Sequence, residues 1–114
     1  MTYAKIATVV AAALSLAACS TDPTEVQADA IEAAGDNRAD AVQADANARS
    51  QALISQAETI EAEAAQATGY TRKQLEVRSE ALRKEANLIR KQGNAQGDAI
   101  ETRAEADAKD LRSR

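Results

Sequence analysis

The chain has 114 residues, 18 acidic and 14 basic side chains, a net charge of −4, a single cysteine, and no histidine, tryptophan or phenylalanine. Without imidazole or a thiol pair, histidine-based general-base catalysis, His/Cys metal binding and an internal disulfide are excluded. Alanine dominates the apolar fraction and bulky side chains are sparse, too few for a compact single core to offset backbone entropy.

The chain opens Met1-Thr2-Tyr3-Ala4-Lys5, with one charge, and continues through an uncharged apolar stretch from Ile6 to Ala18. That stretch is too short to anchor in a bilayer and has the length of a signal-peptide core. It ends in Leu16-Ala17-Ala18-Cys19: a branched apolar residue, two small residues that fit extended into a peptidase cleft, and a nucleophilic thiol. The tetrapeptide resembles the lipobox of bacterial lipoproteins. The resemblance implies that residues 1–18 are a signal peptide cleaved between Ala18 and Cys19, and that Cys19 is the lipidation site. The only prosthetic group then expected is covalent lipid, a diacylglycerol on the Cys19 thiol and an acyl chain on its amine. Two or more chains, at roughly 0.8 kcal/mol per buried methylene, hold a protein stably to a membrane. In that family an aspartate after the cysteine favours retention at the inner membrane. Here the residue is Ser20, which implies the periplasmic leaflet of the outer membrane.

Beyond Cys19 the strong helix formers Ala, Glu, Gln, Lys, Arg and Leu make up most of the chain. The only proline, Pro23, follows Asp22, a capping residue before a proline that suits a first helical turn. Residues 19–22 read as a tether and residues 23–114 as an all-α, elongated, alanine-rich rod. Ile31, Val42 and Leu53 are spaced by eleven, with Ala64 and Leu75 continuing the series; Ile89, Ile100 and Leu111 repeat the interval. That period, about 3.67 residues per turn, keeps an apolar stripe nearly straight along a helix. Flanked by Ala28, Ala34, Ala39, Ala46, Ala57, Ala67, Ala86 and Ala104, the stripe reads as a coiled-coil seam permitting close helix approach.

The segment Ala67-Thr68-Gly69-Tyr70-Thr71 divides this region into arms of about 23–68 and 71–112. Gly69 suits the left-handed residue that ends a helix, and Thr71 suits a cap for the next. Reflection about position 71 superposes Ile31 on Leu111, Val42 on Ile100, Leu53 on Ile89, Ile54 on Leu88, Ile60 on Leu82 and Ala67 on Leu75. Charge agrees. Residues 22–70 hold ten acidic side chains against Arg38 and Arg49, a net −8, whereas residues 71–114 hold eleven basic against eight acidic, a net +3. An antiparallel hairpin with a turn near Gly69–Thr71 follows, with Glu58 level with Lys84 and Asp40 near Arg103. The alternative is one continuous helix in a coiled-coil oligomer. Gly35-Asp36-Asn37 and Gly93-Asn94-Ala95-Gln96-Gly97 read as soft spots where a helix bends or frays, since each interior glycine costs up to about 1 kcal/mol against alanine; the alternative, to which the GxxxG spacing of Gly93 and Gly97 points, is a pair of close-packing notches.

No catalytic residue, metal site, phosphate loop or small-molecule substrate is expected. The basic run Arg72-Lys73, Arg78, Arg83-Lys84 and Arg90-Lys91 suits an anionic surface such as lipid headgroups or cell-wall polymer. It lacks the aromatics that stack on nucleic acid. In design, a lipid anchor followed by a helical rod, the chain resembles the murein (Braun-type) lipoproteins. It departs from them at Leu111-Arg112-Ser113-Arg114, because arginine cannot replace the terminal lysine that joins those proteins to peptidoglycan. The expectation is a non-enzymatic envelope lipoprotein with a structural or adaptor role. Its expected partners are the membrane and either a second copy, a periplasmic protein or the cell wall. The alternatives are a rigid, self-associating, murein-lipoprotein-like spacer with a long unbroken helix, and a weak membrane-surface or stress-protective amphipathic helix.

Overall fold

The structure, a computed structural model, describes residues 22–114; the expected signal, Ala18, Cys19 and Ser20 lie outside the described residues. Two helices, α1 (Pro23–Gln66) and α2 (Gly69–Arg112), pack antiparallel. Each has 44 residues and so runs about 66 Å. The hairpin excludes the continuous-helix alternative.

The α1 start follows from its first residues. Asp22 caps it, its Oδ1 accepting from the Thr24 N–H at 2.9 Å, and Pro23 sits in the first turn, where its missing N–H leaves no bond unmade. The helix closes as Ala67 turns extended and donates its N–H to the Ala64 carbonyl at 3.1 Å. The link is only Ala67 and Thr68, both extended, and Gly69 at φ +61° then starts α2. Gly69 therefore opens the second helix rather than ending the first. Thr71 lies inside the first turn of α2 and caps nothing; Thr68 holds the cap position without a side-chain bond. Lys109 and Arg112 occupy the last turn of α2, where the helix dipole favours cations.

The seam is built from small residues. In α1, Ala28, Ala39 and Ser50 are buried at intervals of eleven, as are Gly35, Ala46 and Ala57. In α2, Ala86, Gly97 and Ala108, and likewise Gly93 and Ala104, follow the same interval. The two helices meet along an eleven-residue repeat, as a nearly straight pair requires. The buried Ser79 hydroxyl donates to the Glu76 carbonyl at 2.9 Å, so no polar group is stranded there.

Gly35, Gly93 and Gly97 are not soft spots. Helix α1 runs unbroken through Gly35 and α2 through Gly93 and Gly97, and all three are buried in the seam. A methyl group on Gly35 would collide with the Ala104 side chain, and one on Gly93 with that of Ala46. These glycines are notches that admit the facing alanine, and the contact offsets their poor helix propensity.

The glycines also set the register. Gly35 opposite Ala104 and Gly93 opposite Ala46 place the mirror centre between Gly69 and Tyr70, just before position 71. Leu53 and Ile89 do line one groove. Val42, however, shares a groove with Ile89 rather than Ile100, and Ile31 lies with Ile100 rather than Leu111. Closest approach between the backbones selects the pairing of small residues, and the large ones take the levels that remain.

Candidate functional site

Three surfaces of the hairpin differ in chemistry, and each follows from where the helical period puts its residues.

The first is an aliphatic flank. Ile31, Val42, Leu53, Ile60, Leu75, Leu82, Ile89, Ile100 and Leu111 are all only half-buried, and among the described residues no large side chain is fully buried. Two helices held together by alanine leave no interior for such groups, so they spread over the side of the seam. Ile31 with Ile100, Val42 with Ile89, and Leu53 with Ile89 line successive open grooves along one flank. Ile60 and Leu82 extend the row by seven residues toward the turn and Leu111 by eleven toward the far end. Arg38 and Arg49, the two cations of α1, stand on one rim, with Glu85 and Asp107 of α2 on the other.

The opposite flank is ionic. Arg83 forks onto Glu61, with Nε to Oε1 at 2.7 Å and Nη2 to Oε2 at 2.9 Å. At the open end Arg112 reaches three carboxylates of α1: Glu25 at 3.0 Å, Asp29 at 2.8 Å and Glu32 at 2.7 Å. Hydrogen bonds from Arg112 lower the Glu32 pKa, and those from Arg83 lower that of Glu61, below the usual carboxylate value. The same bonds raise the guanidinium pKa values of Arg83 and Arg112. These pairs are exposed and so contribute little each; their planar, two-point geometry fixes which side of α2 meets α1.

The charge pairs expected from the mirror levels do not form. Lys84 bonds Glu80 of its own helix at 2.8 Å, and Arg103 lies 4.0 Å from Asp107. Glu58 instead adds its field to Arg83. The cause is angular, since Lys84 points away from α1 and a shared level does not bring it across.

The third surface is the outer face of α2. At about 100° per residue, Lys73, Lys84, Lys91 and Lys109 fall within about 20° of one another, opposite the seam, and all are exposed. Beside them lie Tyr70, Val77 and Leu88, 77%, 68% and 66% exposed. The basic run divides among the faces, with Arg78 joining Lys73, Tyr70 and Val77 on the outer one. Its lysines face outward, whereas Arg83 turns to the ionic flank and Arg72 pairs along α2 with Glu76 at 2.8 Å. Composition and spacing alone did not single out this face or the Arg112 clasp, and they marked the seam glycines as soft spots. Angular projection of the lysines would have found the first.

Among the described residues no three His, Cys, Asp or Glu side chains gather as a metal site, and no helix is long and apolar enough to cross a membrane. Comparison with models of protein families, with characterised proteins and with solved structures gives no match.

Proposed function

We propose that the protein is a non-enzymatic lipoprotein of the cell envelope, held by lipid on Cys19 at the periplasmic leaflet of the outer membrane, with its hairpin serving as a structural or adaptor rod. The observation that carries this reading is the sequence Leu16-Ala17-Ala18-Cys19 only four residues before the Pro23 start of a rigid helix. In that arrangement the tether and the C-terminus of α2 share one end of the rod. The turn at Ala67-Thr68 stands about 66 Å away, and between the two ends the outer face of α2 displays the exposed lysines, Tyr70, Val77 and Leu88 to an anionic surface or a periplasmic partner. A catalytic role has no support in the exposed, ion-paired carboxylates, because catalysis by a carboxyl group calls for a desolvated, shifted pKa in a pocket.

The experiment is metabolic labelling with an alkyne analogue of palmitate in a bacterium with two membranes, followed by membrane separation. The wild-type chain should take up label and sediment with the outer membrane. Cys19→Ala should lose the label and keep residues 1–18. Equal labelling of both chains would sink the anchor, and an unlabelled, soluble wild type would sink the envelope reading altogether. A self-associating spacer is the second reading, favoured by the row of aliphatic side chains that the hairpin leaves half-buried.

A further inference from the structure

We propose that the aliphatic flank is the interface for a second copy of this chain, and that two hairpins stack face to face as a parallel four-helix bundle. The alanines, glycines and serines form the centre of the seam between α1 and α2, and the large side chains form its margin, each still part-exposed. From Ile31 to Leu53 on α1 and from Leu82 to Leu111 on α2 they lie along the same side. A flank about 66 Å long and two helix diameters wide offers roughly 1,200 Å² per copy. The total, about 2,400 Å², exceeds the 1,200–2,000 Å² of a standard stable interface.

Charge selects the occupant and its direction. Stacking like flanks about a two-fold axis leaves two choices. An axis across the rod puts α1 over the partner's α1, bringing two net −8 segments together and setting the Arg38 and Arg49 rims against their copies. An axis along the rod puts α1 over the partner's α2, the net +3 segment. The α1 rim of Arg38, Asp45 and Arg49, net +1, then faces an α2 rim of Glu85, Arg103 and Asp107, net −1. The second arrangement is favoured at both levels, and neighbouring helices remain antiparallel throughout. It also brings both Pro23 ends to one end of the bundle, as two lipid anchors in one membrane need; that last point rests on the proposed anchor.

The test is cysteine crosslinking of the full chain in intact cells with a bis-maleimide spanning about 10 Å, the spacing of packed helices. Ile31→Cys and Ile60→Cys report the two ends of the flank, which are about 43 Å apart along α1. Ala48→Cys, on the outer face of α1, is the control. Each flank variant expressed alone should give a crosslinked dimer, at least tenfold more than Ala48→Cys. Ile31→Cys and Ile60→Cys expressed together, with distinguishable tags, should give no mixed dimer above the yield of Ala48→Cys. Mixed dimers without self-crosslinking would overturn the parallel arrangement. Absence of any flank crosslink, or an equal yield from Ala48→Cys, would overturn the interface. The parent chain is crosslinked in parallel: a dimer there means that the Cys19 thiol is free, which counts against the lipid anchor, and the flank and control variants are then compared on a Cys19→Ser background in which only the introduced thiol reacts.

Discussion

Replacing the seam glycines one at a time by alanine separates two accounts of why they are there. For a glycine that merely weakens its helix, alanine adds about 0.8–1 kcal/mol at every position. In the structure the three positions differ. At Gly93 the new methyl would strike the Ala46 side chain, and at Gly35 that of Ala104. Both targets are methyl groups fixed to a helix backbone, so the helices themselves must separate. Overpacking of that kind costs about 1–3 kcal/mol, which outweighs the gain in propensity and leaves a net loss of about 1 kcal/mol. At Gly97 the methyl would meet the Gln43 side chain, lying 2.9 Å from its Cγ and 3.0 Å from its Cδ. A glutamine can swing aside, so the propensity gain survives there. For a domain of this length 1 kcal/mol moves the melting midpoint by about 4–8 °C. Thermal denaturation followed by circular dichroism at one protein concentration should show Gly35→Ala and Gly93→Ala melting lower than wild type, and Gly97→Ala melting equal or higher. Gly93→Ala combined with Ala46→Gly moves one methyl across the seam and cancels the propensity change, so it should return to within about 0.5 kcal/mol of wild type. A rise for all three single variants, with no recovery in the double, would refute the notch account and restore the soft-spot one.

Two further outcomes follow from the ionic flank. Arg83 depresses the Glu61 pKa below its ordinary value of 4.5, so the folded state binds that proton less readily than the unfolded chain. The stabilisation is present above about pH 4.5 and is lost as pH falls through the depressed value. The midpoint difference between wild type and Glu61→Gln should therefore be present at pH 7 and shrink as pH falls below 4.5; a difference that grows in acid would contradict the assignment. Arg112 joins the last turn of α2 to Glu25, Asp29 and Glu32. Arg112→Ala should accelerate hydrogen exchange in the first two turns of α1 and the last two of α2. Exchange near Ala57 and Ser79 should not change, because local opening at a helix end does not need the rest of the rod to unfold. Uniform acceleration along both helices would show that Arg112 acts on global stability instead.

The helical class, the two arms and the turn could be read from the sequence because they depend on properties visible one residue at a time: helix propensity, the Asp22-Pro23 start and a glycine midway. The eleven-residue spacing of Ile31, Val42 and Leu53 was equally visible, but its meaning was not. Large apolar residues ordinarily mark the buried line of a helix pair. Here the buried line is Ala28, Gly35, Ala39, Ala46, Ser50 and Ala57, and the large residues stand beside it. Alanine disguises the difference, for α1 carries Ala30, Ala41, Ala44, Ala48 and Ala52 on its exposed side as well. A helix with alanine on both faces gives no contrast from which to choose the inward one.

What breaks the tie is the handful of residues that an exposed alanine face would have no reason to include. Gly35, Gly93 and Gly97 lower helix propensity without making a turn, and a glycine kept inside a helix is accounted for when a neighbour must come closer than a side chain would allow. Ser50 and Ser79 lie on the same lines, 4% exposed, small enough for the seam and able to satisfy a hydroxyl within their own helix, as Ser79 does on the Glu76 carbonyl. The seam is therefore defined by residue volume, and hydrophobicity is left to the flank. That division bears on function as well as fold. A pair of helices centred on small residues carries its large ones at the margin, and nine part-exposed aliphatic side chains leave an apolar strip along one side. The rod holds its shape through the alanines and glycines; the isoleucines and leucines remain for whatever lies against it.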